Sequence, residues 1–186
     1  MHAYEKAIAD ALNDIADKEI YFHSSEIMSL SDTLAYKVIG TLLSWACQPT
    51  NIMPITIARD CLKQFPVEWV SPKIKQTVFR FIDITDDWDF RRLLELCDLI
   101  SIDLLKWAIT LGADSTNPDI IEAVDDFNEY IIRKSVLKSL FYIFKPSSLP
   151  QMVDTLVSFC CITDKLVHLQ SNCNEMYRNV NYIALV

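Results

Sequence analysis

Three aspartates crowd around one tryptophan in TDDWDFRRLLELC, Thr85 to Cys97, and two arginines follow at once. Asp87-Trp88-Asp89 is formally a DxD pair, a spacing by which two carboxylates can hold a divalent cation if their oxygens converge on it. Convergence requires a loop, because residues two apart on a helix point about 200° away from each other. In the first turn of a helix the same acids have a simpler role, complementing the positive end of the helix dipole by roughly 0.3 to 1 kcal/mol each. Asp125-Asp126 lies in the middle of a helical pattern and is a weaker candidate still.

Nucleophilic and acid–base chemistry has no better footing. No GxSxG is present, and carboxylates are so numerous that no pair stands out as a glycosidase couple. The six cysteines, Cys47, Cys61, Cys97, Cys160, Cys161 and Cys173, form no CxxC, and most sit in apolar helical patterns such as LVSFCCI. They read as buried reduced thiols of a cytosolic protein. His2, His23 and His168 do not cluster with them, so nothing in the spacing builds a zinc site. His168, in DKLVHLQ, reads as a surface or partly buried histidine. The expectation is a non-enzymatic protein with no catalytic residue, no cofactor and no metal site.

The elements that position these residues are capped helices. Ser71 opens SPKIKQTVFRF with Ile74, Val78 and Phe81 on one face, and Asp87 opens DWDFRRLLELC with Phe90, Leu94 and Cys97, widened by Leu93 and Ile100. Ser101 leads Leu104, Ala108 and Leu111; Asn117 leads Ile120, Val124 and Phe127; Ser31 leads Leu34 and Val38, a partial match. Each cap can accept a bond from a free N–H of the first turn, and Pro72 and Pro118 fall where a helix tolerates proline best. Apolar residues at i, i+4 and i+7 specify helix and not strand.

The caps at 71, 87, 101 and 117 are 16, 14 and 16 residues apart, so two helices make a unit of about thirty residues whose faces are buried only by stacking. The expected fold is all-α: stacked antiparallel helix pairs forming an α-solenoid or α-α superhelix in one domain, 1–186. The repeat core runs over about 31–145 and closing helices over about 149–186, starting with LPQMVDTLVSF after the polar break KPSSLP. The first 22 residues read as an amphipathic helix and not as a secretion signal, and the most apolar segments are too short to span a bilayer. A soluble, cytoplasmic protein is expected. Only two glycines, Gly40 and Gly112, are available, which argues against hairpins and phosphate-binding loops.

The segment Asp86 to Phe127 resembles the HEAT-like repeats, whose second helices often begin with an acidic residue, an aromatic or proline, and an arginine or apolar residue before an apolar run. It is similar, more specifically, to a module of small bacterial immunity proteins encoded beside polymorphic or contact-dependent inhibition toxins. The resemblance covers about a quarter of the chain. It implies that the protein neutralises a cognate toxin domain by binding it.

Charge gives that implication a place. The net charge is −8, yet Met1 to Ile82 carries 9 acids and 8 bases, Asp83 to Glu129 carries 13 acids and 3 bases, and Tyr130 to Val186 carries 3 acids and 6 bases. On a helical wheel Asp119, Glu122, Asp126 and Glu129, with Asp125 beside them, lie opposite Ile120, Val124, Phe127 and Ile131. Like charges at i, i+3 and i+4 weaken an isolated helix by a few tenths of a kcal/mol per pair, a cost that solubility alone does not demand. Such a surface repels nucleic acid and anionic membrane and attracts a basic protein.

Trp88 falls off the apolar face, packed against the end of the adjacent helix, under Arg92 as a cation–π pair, or free to anchor an interface, whereas Trp69 and Trp107 read as core or core edge. Arg91 and Arg92 are expected to tie acidic turns of adjacent units together. The candidate partner-binding residues are Asp86, Asp87, Trp88, Asp89, Asp119, Glu122, Asp125, Asp126 and Glu129. The partner they suit is a basic, nuclease-type toxin domain; the alternative is a helical-repeat adaptor or scaffold that holds another protein or a peptide.

Overall fold

The computed structural model describes residues 3–20 and 22–143, with side chains to residue 136. Eight helices make up this region: α1 (Ala3–Ala16), α2 (Ser24–Met28), α3 (Asp32–Cys47), α4 (Ile52–Leu62), α5 (Val67–Phe81), α6 (Asp87–Ile100), α7 (Ile102–Gly112) and α8 (Pro118–Ile143). Among the described residues there is no strand, and no helix is long and apolar enough to cross a membrane. All of these helices lie in the unit Met1–Lys134, except the end of α8, which continues beyond it. The expected closing helices, together with Cys160, Cys161, Cys173, His2 and His168, lie outside the described residues.

A side-chain cap opens four of the eight helices, α4, α6, α7 and α8. Ser101 Oγ accepts from the Leu104 N–H at 3.1 Å, and Asn117 Oδ1 from the Asp119 N–H at 3.0 Å. Ser31 stands at the N-cap of α3 without a side-chain bond. The α6 cap is Asp86, one residue before the expected Asp87.

Ser71 is not a cap. α5 begins at Val67 after Pro66, and Pro72 lies inside the helix. The N–H that Pro72 lacks would have bonded the Glu68 carbonyl; both residues are exposed, so water can take its place. α4 is an element the cap pattern missed, opened by Asn51 Oδ1 accepting from the Met53 N–H at 3.3 Å.

The corrected caps change the period. Ser31, Pro66 and Ser101 are 35 residues apart each time, while Asn51, Asp86 and Asn117 are 35 and then 31 apart. The N-terminal helix also stops sooner than its amphipathic pattern suggests. Asp17 takes the left-handed conformation (φ 51°), and the Lys18 N–H returns to the Asn13 carbonyl, which closes α1 at Ala16.

α3 is the central element, packed on α1, α2, α4, α5 and α6, with Val38, Ile39, Leu42, Leu43 and Ala46 fully buried. Along α5, Lys73 reaches Asp32 (3.4 Å) and Phe81 packs on Gly40, so the two helices advance in the same direction. Lys73 is itself buried, its Nζ 4.3 Å from the centre of the Trp69 ring. Trp69 and Trp107 are half-buried against the core, as their apolar neighbours suggest.

Both glycines serve close packing and not a turn, since neither has a positive φ. A Cβ on Gly40 would collide with the Phe81 ring, and one on Gly112 would fall 2.5 Å from Phe90 Cζ and 2.8 Å from Val124 Cγ2.

Candidate protein-interaction surface

The opening turn of α6 is built from local hydrogen bonds. Asp83 Oδ1 accepts from the Thr85 hydroxyl (2.7 Å) and N–H (2.9 Å), and these bonds, the hydroxyl first, hold its carboxyl below the ordinary range. Asp86 Oδ1 accepts from the Asp89 N–H at 3.0 Å, so its carboxylate is engaged by the helix start. Asp87 and Asp89 leave the helix in diverging directions, as residues two apart must. Asp89 is half-buried, and burial, followed by repulsion from Asp86, raises its carboxyl above the usual value. Trp88 is 55% exposed. The expected cation–π partner is committed elsewhere: Arg92 Nη1 donates to Glu95 Oε2 at 2.9 Å.

α8 runs beside α6 in the same direction. Three links advance together along both helices: the Asn117 amide to the Thr85 carbonyl (3.5 Å), Arg91 to Asp126 (3.0 Å) and the Tyr130 hydroxyl to Asp98 (3.0 Å). Lys134 closes the last of these by donating to Asp98 Oδ1 (3.2 Å) and to the Tyr130 oxygen (3.0 Å). Arg91 thus ties α6 to α8, whereas Arg92 bonds Glu95 on its own helix.

This packing divides the acidic stripe. Asp126 is paired with Arg91, and Glu129 with Arg133 one turn on. The stripe carries no base in the sequence from Asp119 to Glu129, but space supplies one from α6 and one from the following turn. Asp119, Glu122 and Asp125 are exposed and have no ion-pair partner among the described residues. Asp86, Asp87 and Trp88 stand in the opening turn of α6, which Asn117 at the start of α8 meets at the Thr85 carbonyl; Asp89, in the same turn, is half-buried.

Sequence reasoning missed a second feature, a groove of about 300 Å³ between α4 and α6. Its key residue is Arg59, whose side chain is only 13% exposed. Arg59 Nε donates to the Ala46 carbonyl (3.1 Å), and Nη2 donates to the Arg92 carbonyl (3.1 Å) and to Glu95 Oε2 (3.0 Å). One guanidinium therefore ties the end of α3 to the middle of α6. The signal available in the sequence was Asn51 followed by Pro54, Ala58 and Cys61, at the same three, seven and ten residues beyond the cap as in the helices that Ser101 and Asn117 open.

The buried thiols are chemically quiet. Cys47 and Cys61 are pushed up to about 12, and Cys97 is raised further, in each case first by burial, so all three stay protonated at neutral pH. Among the described residues no three His, Cys, Asp or Glu side chains are grouped to hold a metal ion. Comparison of the chain with protein-family models, curated proteins and solved structures gave no match.

Proposed function

We propose that this chain is a non-catalytic, HEAT-like stack of helix pairs that binds a basic protein through the open acidic surface of α6 and α8. The observation that carries this reading is Trp88, an aromatic side chain left 55% exposed between Asp87 and Asp89 in the first turn of α6. A large aromatic ring in water next to a strong field supplies both parts of an interface, an anchor that gains by burial and charges that steer encounter. The resemblance of Asp86 to Phe127 to immunity modules makes a cognate toxin domain of nuclease type, met in the cytoplasm, the partner of first choice.

The test is co-expression with the C-terminal domain encoded by the adjacent upstream reading frame, scored by rescue of growth and by a co-purifying complex. Trp88→Ala should weaken that complex by about tenfold or more. Reversing Asp119, Glu122 and Asp125 together should weaken it strongly at low salt, and more than reversing the already paired Asp126 and Glu129. Binding that ignores both sets of changes would defeat the acidic-surface reading. The second reading, an adaptor that holds a peptide, is favoured by the groove between α4 and α6, and becomes the leading one if the neighbouring domain does not bind.

A further inference from the structure

The groove between α4 and α6 inverts the chemistry of the rest of the molecule. Along α4, Ile52, Thr56 and Arg59 line it at i, i+4 and i+7, and Lys63, the residue that caps the end of α4, continues the stripe at i+11. From α6 come Arg92 and Leu99, seven residues apart, and Trp88 lies on the same α6 stripe, four residues before Arg92. Two of its apolar members are turned toward water, Ile52 at 71% and Leu99 at 46% exposed, while Ile55 is buried.

The charges are unbalanced. Arg59, Lys63 and Arg92 face only Asp60 and Glu95, so three cations meet two carboxylates in a chain whose net charge is −8. Both guanidiniums converge on one oxygen, Glu95 Oε2, at 3.0 and 2.9 Å. A guanidinium has five N–H donors. Among the described residues Arg92 uses only Nη1, and Arg59 leaves its Nη1 uncommitted.

We propose that this groove is a second binding site, one that takes a carboxylate side chain flanked by an apolar residue on a partner polypeptide. The guanidinium of Arg92 supplies a planar fork for the carboxylate, and Lys63 adds a point charge. Ile52 and Leu99 cover the apolar neighbour. Size selects the class of ligand. A volume of about 300 Å³ stands at the lower end of ligand pockets, roughly 300 to 1,000 Å³, which suits one or two side chains. A nucleic acid would bring its other phosphates against a chain of net charge −8. The groove and the acidic surface of α6 and α8 need opposite chemistry: that surface needs a basic partner patch, this groove an acidic residue set among apolar ones.

The experiment titrates capped tripeptides, Leu-Glu-Leu, Leu-Gln-Leu and Leu-Lys-Leu, into the isotope-labelled full chain, with inorganic phosphate as the ion control. The readouts are the Nε–H resonances of Arg59 and Arg92. The glutamate peptide should shift these signals and bind about tenfold more tightly than the glutamine form. Arg92→Gln should abolish that preference, and Ile52→Ser, at a site too exposed to affect folding, should weaken the glutamate peptide about threefold. Reversal of Asp119, Glu122 and Asp125 should leave peptide binding in place, which separates this site from the acidic surface. Equal binding of the glutamine or lysine peptide, equal binding of phosphate at the same signals, or full binding by both variants would each overturn the proposal.

Discussion

α6 meets α4 on one side and α8 on the other, and the two meetings are made differently. Toward α4 the tie is polar and largely enclosed: Arg59, 13% exposed, satisfies two backbone carbonyls and shares Glu95 with Arg92. Toward α8 the polar ties lie nearer the surface, and apolar packing is inside, with Gly112 allowing Phe90 and Val124 to close on it. The contrast shows how one kind of helix can present two faces of opposite character. Where the guanidinium does the tying, cations collect and the rim is basic and apolar; where packing does it, acids are left free to face water.

The contrast can be broken most severely at Arg59. Arg59→Met should cost about 3 kcal/mol, because two carbonyls lose their donor in a partly buried site and Glu95 keeps only Arg92. Urea unfolding measures it, and a loss below about 1 kcal/mol would mean that the enclosed tie is not what holds α4 to α6. Gly112→Ala should come next, at about 1 to 3 kcal/mol. The added methyl meets a ring and a branched side chain that are both buried or nearly so, and neither can turn aside freely. A stability change near zero there would show that packing on the α8 side is loose enough to absorb a methyl group.

The sequence made one side of this contrast more legible than the other. Ser101 and Asn117 announce α7 and α8 because an Asx or Ser cap stands directly before an apolar i, i+4, i+7 run, and the acids of α8 are countable without coordinates. α4 was harder to read because Pro54 sits where a helix pattern is usually broken off, and Ile52 and Met53, which open it, are exposed. Ser71-Pro72 imitates a helix start so well that it conceals the true start at Val67; no local rule distinguishes a proline in the first turn from one tolerated on a wet face further along. Arg59 was invisible as a site residue for a different reason. Its partners lie at Ala46, Arg92 and Glu95, and no spacing rule joins an arginine to a carbonyl 33 residues away.

The exposed counterpart of Arg59 is Arg91. Arg91→Gln should change stability by only about 0.2 to 1 kcal/mol, with the effect fading as salt rises. The same change frees Asp126, so it should strengthen association with a basic partner while barely altering the fold. If Arg91→Gln costs as much as Arg59→Met, the distinction between an enclosed polar tie and an exposed one is wrong.

The smallest effect is expected inside the acidic group itself. Asp89 has a raised carboxyl pKa, caused first by burial and then by Asp86. A carboxylate whose folded value is above its unfolded value favours the folded state when protonated, so its ionisation costs stability as pH rises through the folded value. Asp89→Asn should therefore raise Tm slightly at pH 7, and the advantage should shrink as pH falls through the folded value toward the ordinary carboxylate range. Because Asp89 is half-buried, the same substitution should leave association with a basic partner unchanged, unlike a change at Glu122 or Asp125. Weakened binding by Asp89→Asn at equal stability would return this aspartate to the interacting surface and would show that the two sides of α6 are less separate than their geometry indicates.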